Sequence, residues 1–214
     1  AARALMGDSL PMKPNAIYTL ERQPIGVCGL VIPWNSPILM VTSKLGACLA
    51  TGNTCIMKPS SISSLVTLVF AEILDSCGVP PGVVNIVTGS GRHVGEALVR
   101  HPDVRMIAFT GSTEVGQAIM RQAADDMKHV HLELGGKDPF VIAPDADIET
   151  AVEAVAYSSL INAGQVCTSS ERIYVPKEKE YLLPATLRNY VEQKGIWFFG
   201  VLAVVFIMSV LMRY

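Results

Sequence analysis

The chain has 214 residues, 50% hydrophobic and 17% charged, with a formal net charge of −2. That length holds one large domain or two small ones and is enough to bury a core, and the apolar content excludes global disorder. The near-neutral balance and the lack of a basic run exclude a nucleic-acid binder, because nothing is there to meet phosphates.

Five cysteines, Cys28, Cys48, Cys55, Cys77 and Cys167, form no C-x-x-C pair. This argues against a zinc or paired-redox framework and for a reducing, cytoplasmic setting. The first ten residues contain Arg3 but no sustained apolar stretch, so they do not read as a signal peptide. The chain does not begin with Met, and we expect it to start within a longer one.

Helix and strand signals alternate along the chain. From Ser64 to Cys77, Leu65, Leu68, Val69, Ile73 and Leu74 share one face, and Gly78 and Pro80 follow, which predicts a helix and its stop. From Val83 to Val87 a β-branched run precedes Gly89, and from Val104 to Phe109 a second strand runs into Thr110-Gly111. A helix is predicted from Thr113 to Ala124, and strands from Val130 to Leu134 and from Phe140 to Ala143. Another helix runs from Ile148 to Leu160 with Asp145 or Asp147 as N-cap, followed by a strand from Arg172 to Val175. Such alternation argues for a parallel sheet covered by helices. From Lys177 to Lys194 the chain is polar, breaks at Pro184 and reads as a linker. From Ile196 to Met212 it is apolar and uncharged, flanked by Lys194 and Arg213. As a helix this run reaches about 26 Å, against a bilayer core of about 30 Å. It is expected to be a membrane contact with the globular part left in the cytoplasm, or else a helix covering a sheet face.

Several residues stand out for their chemistry. Gly89-Ser90-Gly91-Arg92-His93-Val94-Gly95 follows a strand and opens a helix, with one residue more than the usual dinucleotide fingerprint. Phe109-Thr110-Gly111-Ser112-Thr113-Glu114-Val115 is a second such turn, where free N–H groups and the helix dipole suit an anion; the alternative is a plain N-cap. Asn35 lies between Pro33 and Pro37 on a stiff turn, either as a turn residue or as a fixed N–H donor for an oxyanion. Glu133 is the lone carboxylate of an apolar strand: a buried base with a raised pKa, or a strand-end residue facing solvent or Lys137. Cys167 has small and polar neighbours, unlike the other four cysteines, whose apolar surroundings fit inert core thiols.

Together, Pro33-Trp34-Asn35, Met57-Lys58-Pro59-Ser60, Phe109-Thr110-Gly111-Ser112-Thr113, Glu133-Leu134-Gly135-Gly136-Lys137 and Gly164-Gln165-Val166-Cys167 resemble the aldehyde dehydrogenase superfamily, from about Ile17 to Val175. The resemblance implies an α/β chain: a Rossmann-like doubly wound parallel sheet over 1–135 and the start of a catalytic domain over 136–176. A linker over 177–195 and a hydrophobic helix over 196–212 would follow. It implies oxidation of an aldehyde to an acid with NAD or NADP. The Cys167 thiolate attacks the carbonyl, the Asn35 amide and the Cys167 N–H hold the oxyanion, and Glu133 activates the water that releases the acid. Lys58 would lie near the adenine ribose and Ser112 near the pyrophosphate, with Gly91 and Gly95 letting a helix approach. Ile32, Pro33, Trp34, Ser60, Phe109, Gly111, Val115 and Leu134 complete the implied cofactor surface. Ser61 stands where NAD-preferring members carry an acidic residue, so NADP is expected to be tolerated. Members of the family are longer, form homo-oligomers and carry a Glu-x-Phe-Gly-Pro motif that is absent here. A second reading is therefore an inactive nucleotide-binding module held at a membrane by its tail. A hydrolase using Cys167 alone fits less well, because His129 and His131 alternate on a strand.

Overall fold

The computed structural model describes residues 7–13, 16–193 and 212–213. It separates into two units, residues 1–134 and 135–214. The first opens with an antiparallel hairpin of β1 (Asp8–Lys13) and β2 (Ala16–Leu20). A parallel sheet of β3 (Val27–Ile32), β4 (Thr54–Pro59), β5 (Val84–Ile86), β6 (Val104–Thr110) and β7 (His129–Glu133) follows, in the order β5-β4-β3-β6-β7.

Alternation along the central strand builds both layers. Cys28, Leu30 and Ile32 join Val41, Leu45 and Cys48 of α1 (Pro37–Ala50), with Cys55 and Met57 of β4, in one core. On the opposite face Val27 and Val31 pack with Leu98 and Val99 of α3 (Glu96–Arg100), Ile107 and Phe109 of β6 and Ile119 of α4 (Thr113–Ala123). Each fully buried aliphatic side chain contributes roughly 1.5–3 kcal/mol. The chain starts at the sheet centre, builds β4 and β5 to one side, then returns to build β6 and β7 on the other. The order therefore reverses between β3 and β6, the point at which sheets of this kind place their ligand sites, outside the strands' carboxyl ends.

Two expectations change in this unit. The apolar stripe on α2 (Ser64–Ser76) is largely exposed at Leu65, Leu68, Val69 and Ile73, and the helix turns Thr67, Phe70 and Leu74 inward. Cys77, expected in the core, is the exposed C-cap of that helix. The extra residue of the first glycine turn has a structural home. Gly91–Gly95 form one π-helical turn before α3, and an i→i+5 turn absorbs one residue more than an α-turn.

The second unit is built on β8 (Asp138–Val141) and β9 (Ser170–Val175), which are parallel, with α5 (Ile148–Leu160) between them in sequence. A two-residue strand, β10 (Met212–Arg213), lies beside Tyr174 and Val175. The segment expected as a polar linker instead contains α6 (Leu182–Gln193). Pro184 falls in its first turn, where no intrahelical N–H is required. Leu183 and Leu187 are buried with Ile142, Val152, Val155 and Ile173. Among the described residues no helix is long and apolar enough to cross a membrane. The hydrophobic helix expected over 196–212 lies outside them except for Met212.

Of the two candidate caps of α5, Asp147 is the one used: its Oδ1 accepts from the Thr150 N–H at 2.8 Å. That backbone bond holds its carboxyl below the usual aspartate range. A depressed folded-state pKa stabilises the fold above the unfolded pKa, and the contribution is lost as pH falls through the folded value. Asp147→Ala is therefore expected to lower the urea midpoint at neutral pH, with the gap to wild type closing below the ordinary aspartate pKa. A gap that stays constant to low pH would refute this.

Candidate active site

The carboxyl ends of the five parallel strands gather most of the candidate residues of the first unit. Ile32 ends β3, and Pro33, Trp34 and Asn35 form the bend before α1; Trp34 is exposed and Asn35 half-buried. Pro37 occupies the first turn of α1, so the bend is stiff on both sides. Phe109 is buried near the end of β6, and a Cβ on Gly111 would run into its ring, so the turn into α4 closes tightly over it. The Gly111 N–H donates to the Glu133 carbonyl at 3.1 Å, tying the turn to β7. Ser112 caps α4 by accepting from the Val115 N–H at 3.4 Å, and Val115 is exposed. The N-cap leaves room for the anion reading, since capping uses one of the helix's orphan donors and leaves others.

Lys58 is only 4% exposed. Among the described residues its ammonium bonds only to the Pro59 carbonyl, at 3.1 Å, and burial pushes its pKa down. A Cβ on Gly95 would come within 3.9 Å of Lys58 Cδ and Cε, so the lysine stem runs under the glycine turn. Ser61 donates to the Gly89 carbonyl at 3.2 Å, which draws the segment after β4 onto that turn. Ser60 accepts from the Ser64 hydroxyl at 2.9 Å through its carbonyl. A buried cation with spare donors, two nearby hydroxyls and a glycine turn fit the ribose and phosphates of a dinucleotide.

Glu133 departs from the buried-base expectation. Its side chain is 59% exposed in this unit, with Oε1 3.3 Å from His131 Nε2. Lys137 bonds Glu171 at 2.6 Å within the second unit. His129, His131 and Glu133 share the exposed face of the edge strand β7, while Val130 and Leu132 face inward. A residue that sequence reading misses is Lys44, on α1 and 8% exposed. Burial pushes its ammonium down in pKa, and the Glu133 carboxylate opposes that shift, so the two charges sense each other. The signal was present: Lys44 is the one charge in an otherwise apolar helix.

Cys167 belongs to the second unit, where it is exposed and unbridged. It follows three consecutive left-handed residues, Asn162 (φ 51°), Ala163 (φ 56°) and Gly164 (φ 74°). The two that are not glycine each cost roughly 1 kcal/mol. The turn is pinned: Gln165 N–H donates to Asn162 O at 3.1 Å, and Ser169 N–H to Val166 O at 3.0 Å. The Ser159 hydroxyl donates to Ser170 O at 2.8 Å, and the Ser169 hydroxyl to Ser159 O at 3.4 Å. The thiol is thus presented from a fixed backbone rather than from a loose loop.

The first unit is a doubly wound α/β fold whose candidate polar residues lie at the carboxyl ends of its strands. The Aldehyde dehydrogenase family model matches residues 1–193. Human cytosolic 10-formyltetrahydrofolate dehydrogenase is 47% identical over 80% of this chain and 20% of that protein. Mouse retinaldehyde dehydrogenase 3 is 44% identical over 83% of this chain and 35% of its own length. Among solved structures, an NAD+ complex of an aldehyde dehydrogenase from Bacillus cereus superposes with TM-score 0.85 at 39% identity, covering 89% of this chain and 39% of that one. An NADP-dependent enzyme from E. coli superposes with TM-score 0.86 at 41% identity, covering 89% of this chain and 40% of that one. The chain belongs to the aldehyde dehydrogenase family, and it spans about two-fifths or less of the length of these relatives.

Proposed function

We propose that this chain carries the dinucleotide-binding unit and the nucleophile of an NAD(P)-dependent oxidation of an aldehyde to a carboxylic acid. The observation that carries the reading is the reversal of strand order between β3 and β6, with Asn35 in the bend after β3 and the Gly111–Ser112 turn after β6. When bound, the nicotinamide accepts a hydride. The chain's own groups do the rest. The Cys167 thiolate adds to the aldehyde carbonyl, and a thiol suits both steps because it adds to carbonyls and leaves from acyl groups. The Asn35 amide and the Cys167 N–H donate to the oxyanion. Glu133 takes a proton from the water that cleaves the thioester. Lys58, Ser60 and Ser61 hold the ribose, while Ser112 and the start of α4 hold the pyrophosphate, lined by Ile32, Pro33, Trp34, Gly91, Gly95, Phe109, Gly111, Val115 and Leu134.

The test is stopped-flow absorbance of the full-length chain mixed with NAD or NADP and a reactive aldehyde. A burst of reduced nicotinamide approaching one per chain supports the proposal. Dinucleotide binding without a burst favours the second reading, a module that binds but does not turn over. In that reading the apolar run 196–212 is a membrane contact, and partition into a detergent phase should vanish when it is deleted. The cytosolic human relative supports a cytosolic setting for the rest of the chain.

Ser61 sets an expectation for cofactor choice. A hydroxyl tolerates a 2′-phosphate that a carboxylate repels, and like charges in contact cost several kcal/mol. Ser61→Glu is therefore expected to weaken NADP binding by about tenfold or more while sparing NAD. Quenching of Trp34 fluorescence in titrations with each dinucleotide measures this, and equal loss for both would refute it.

A further inference from the structure

Three thiols that the proposed chemistry does not use lie together in the first unit. Cys28 and Cys55 are register partners on the neighbouring strands β3 and β4. Cys48, in the last turn of α1, covers them, and its Sγ lies 3.6 Å from the carbonyl of Thr54, the residue bonded to Cys55. All three are buried, at 2%, 6% and 0% exposure for Cys28, Cys48 and Cys55. Of the three, Cys48 is the thiol that acts on both of the others. Just beyond Cys48, α1 ends at the exposed residues Thr51 and Gly52.

We propose that this cluster is an oxidative modification site, in which a hydroperoxide links Cys48 to Cys55 by a disulfide. The Cys55 sulfur attacks the peroxide oxygen, the O–O bond breaks, and water or an alcohol leaves, giving a sulfenic acid. The Cys48 sulfur then attacks that sulfur and expels water. In sum, two thiols and one hydroperoxide give one disulfide, water, and water or the alcohol; sulfur is oxidised and the peroxide oxygen is reduced.

The choice of pair follows from the surroundings. The hydrogen bond from Cys48 holds the Cys55 thiol below its ordinary value, against the effect of burial, and so favours the nucleophilic thiolate. Cys48 is lowered by its bond with Cys28, but its bond with Cys55 and burial outweigh this and push it up to about 11. Cys28 is pushed up by its hydrogen bond with Cys48 and by burial, so it stays a thiol. A Cys28–Cys55 link would also have to join directly registered residues of two parallel strands, both fixed by the sheet. A Cys48–Cys55 link closes only the short turn from α1 to β4. Local opening of the last turn of α1 is the route by which a small peroxide enters.

The test uses the full-length chain with Cys77→Ser and Cys167→Ser, which removes both exposed thiols and leaves the three buried ones. After reduction, desalting and treatment with hydrogen peroxide, the expected intact-mass change is a loss of about 2 Da, reversed by dithiothreitol. Thiols titrated in denaturant fall from three to one per chain, and non-reducing peptide mapping joins the Cys48 and Cys55 peptides. Adding Cys48→Ser or Cys55→Ser should abolish the loss, while adding Cys28→Ser should not. Three thiols remaining after treatment, a link that uses Cys28, or oxygen addition without a link would each overturn the proposal. Because no dinucleotide or aldehyde is present, the outcome is independent of the proposed oxidation chemistry.

Discussion

Replacing Cys167 with alanine is expected to remove the burst of reduced nicotinamide, a loss of about three orders of magnitude or more, while dinucleotide binding stays within a factor of about two. The two readouts separate because the thiol and the dinucleotide surface belong to different units of the fold. The thiol sits on a pinned turn and is exposed, so its removal leaves no buried cavity and no unpaired polar group. A defect in folding would lower dinucleotide binding together with the burst. Labelling provides a second check: brief treatment of the native chain with iodoacetamide should modify Cys167 and Cys77 and spare Cys28, Cys48 and Cys55. A burst that survives in Cys167→Ala, or a native Cys167 that resists alkylation, would remove the nucleophile from the proposal.

The parts of the fold that the sequence made legible are those where one side of an element meets solvent. The helix Ile148–Leu160 was readable because polar and apolar residues alternate at helical spacing and an aspartate precedes it; its observed limits are the same. Strands β6 and β7 were readable because glycine turns end them. Strands β3 and β4 and helix α1 were not. Both faces of β3 and β4 are covered, so Val27–Ile32 and Cys55–Met57 carry continuous apolar runs without a period. Helix α1 is apolar almost all round and starts at a proline that reads as a turn. The stripe on α2 misled for the opposite reason: its apolar residues follow helical spacing, yet the described neighbours leave most of them exposed.

The site shows the same division. The order of its motifs was legible, but the environment of each group was not. Glu133 lies on the expected strand, and its exposure agrees with the solvent-facing reading rather than the buried base, because alternation along an edge strand puts it with His129 and His131 on the open face. Lys44 is invisible as a partner in the sequence because its charge interaction with Glu133 runs between α1 and β7, which only the fold brings near each other. Burial and pairing of charges are properties of packing, and a linear pattern reports them only when the packing is repetitive.

A size swap across the centre of the sheet should show how tightly the first unit is packed. A Cβ on Gly29 of β3 would lie 2.7 Å from Ile107 Cδ1 and 3.1 Å from Leu98 Cγ. Ile107 itself is fully buried on β6, the neighbour of β3. Gly29→Ala therefore overpacks a closed space and is expected to cost about 1–3 kcal/mol. Ile107→Val removes Cδ1, the atom nearest that Cβ, and alone is expected to cost about 0.5–1.5 kcal/mol through lost contact and the small void it leaves. In the double variant the added methyl fills the space that the lost methyl vacates. The two costs should then fall short of their sum by about 1 kcal/mol or more, the signature of directly coupled sites. Urea denaturation of the four chains, followed by tryptophan fluorescence, measures the coupling. Strict additivity would mean that the strand relaxes around the added methyl without involving Ile107, and that the central strands are less closely packed than the geometry requires.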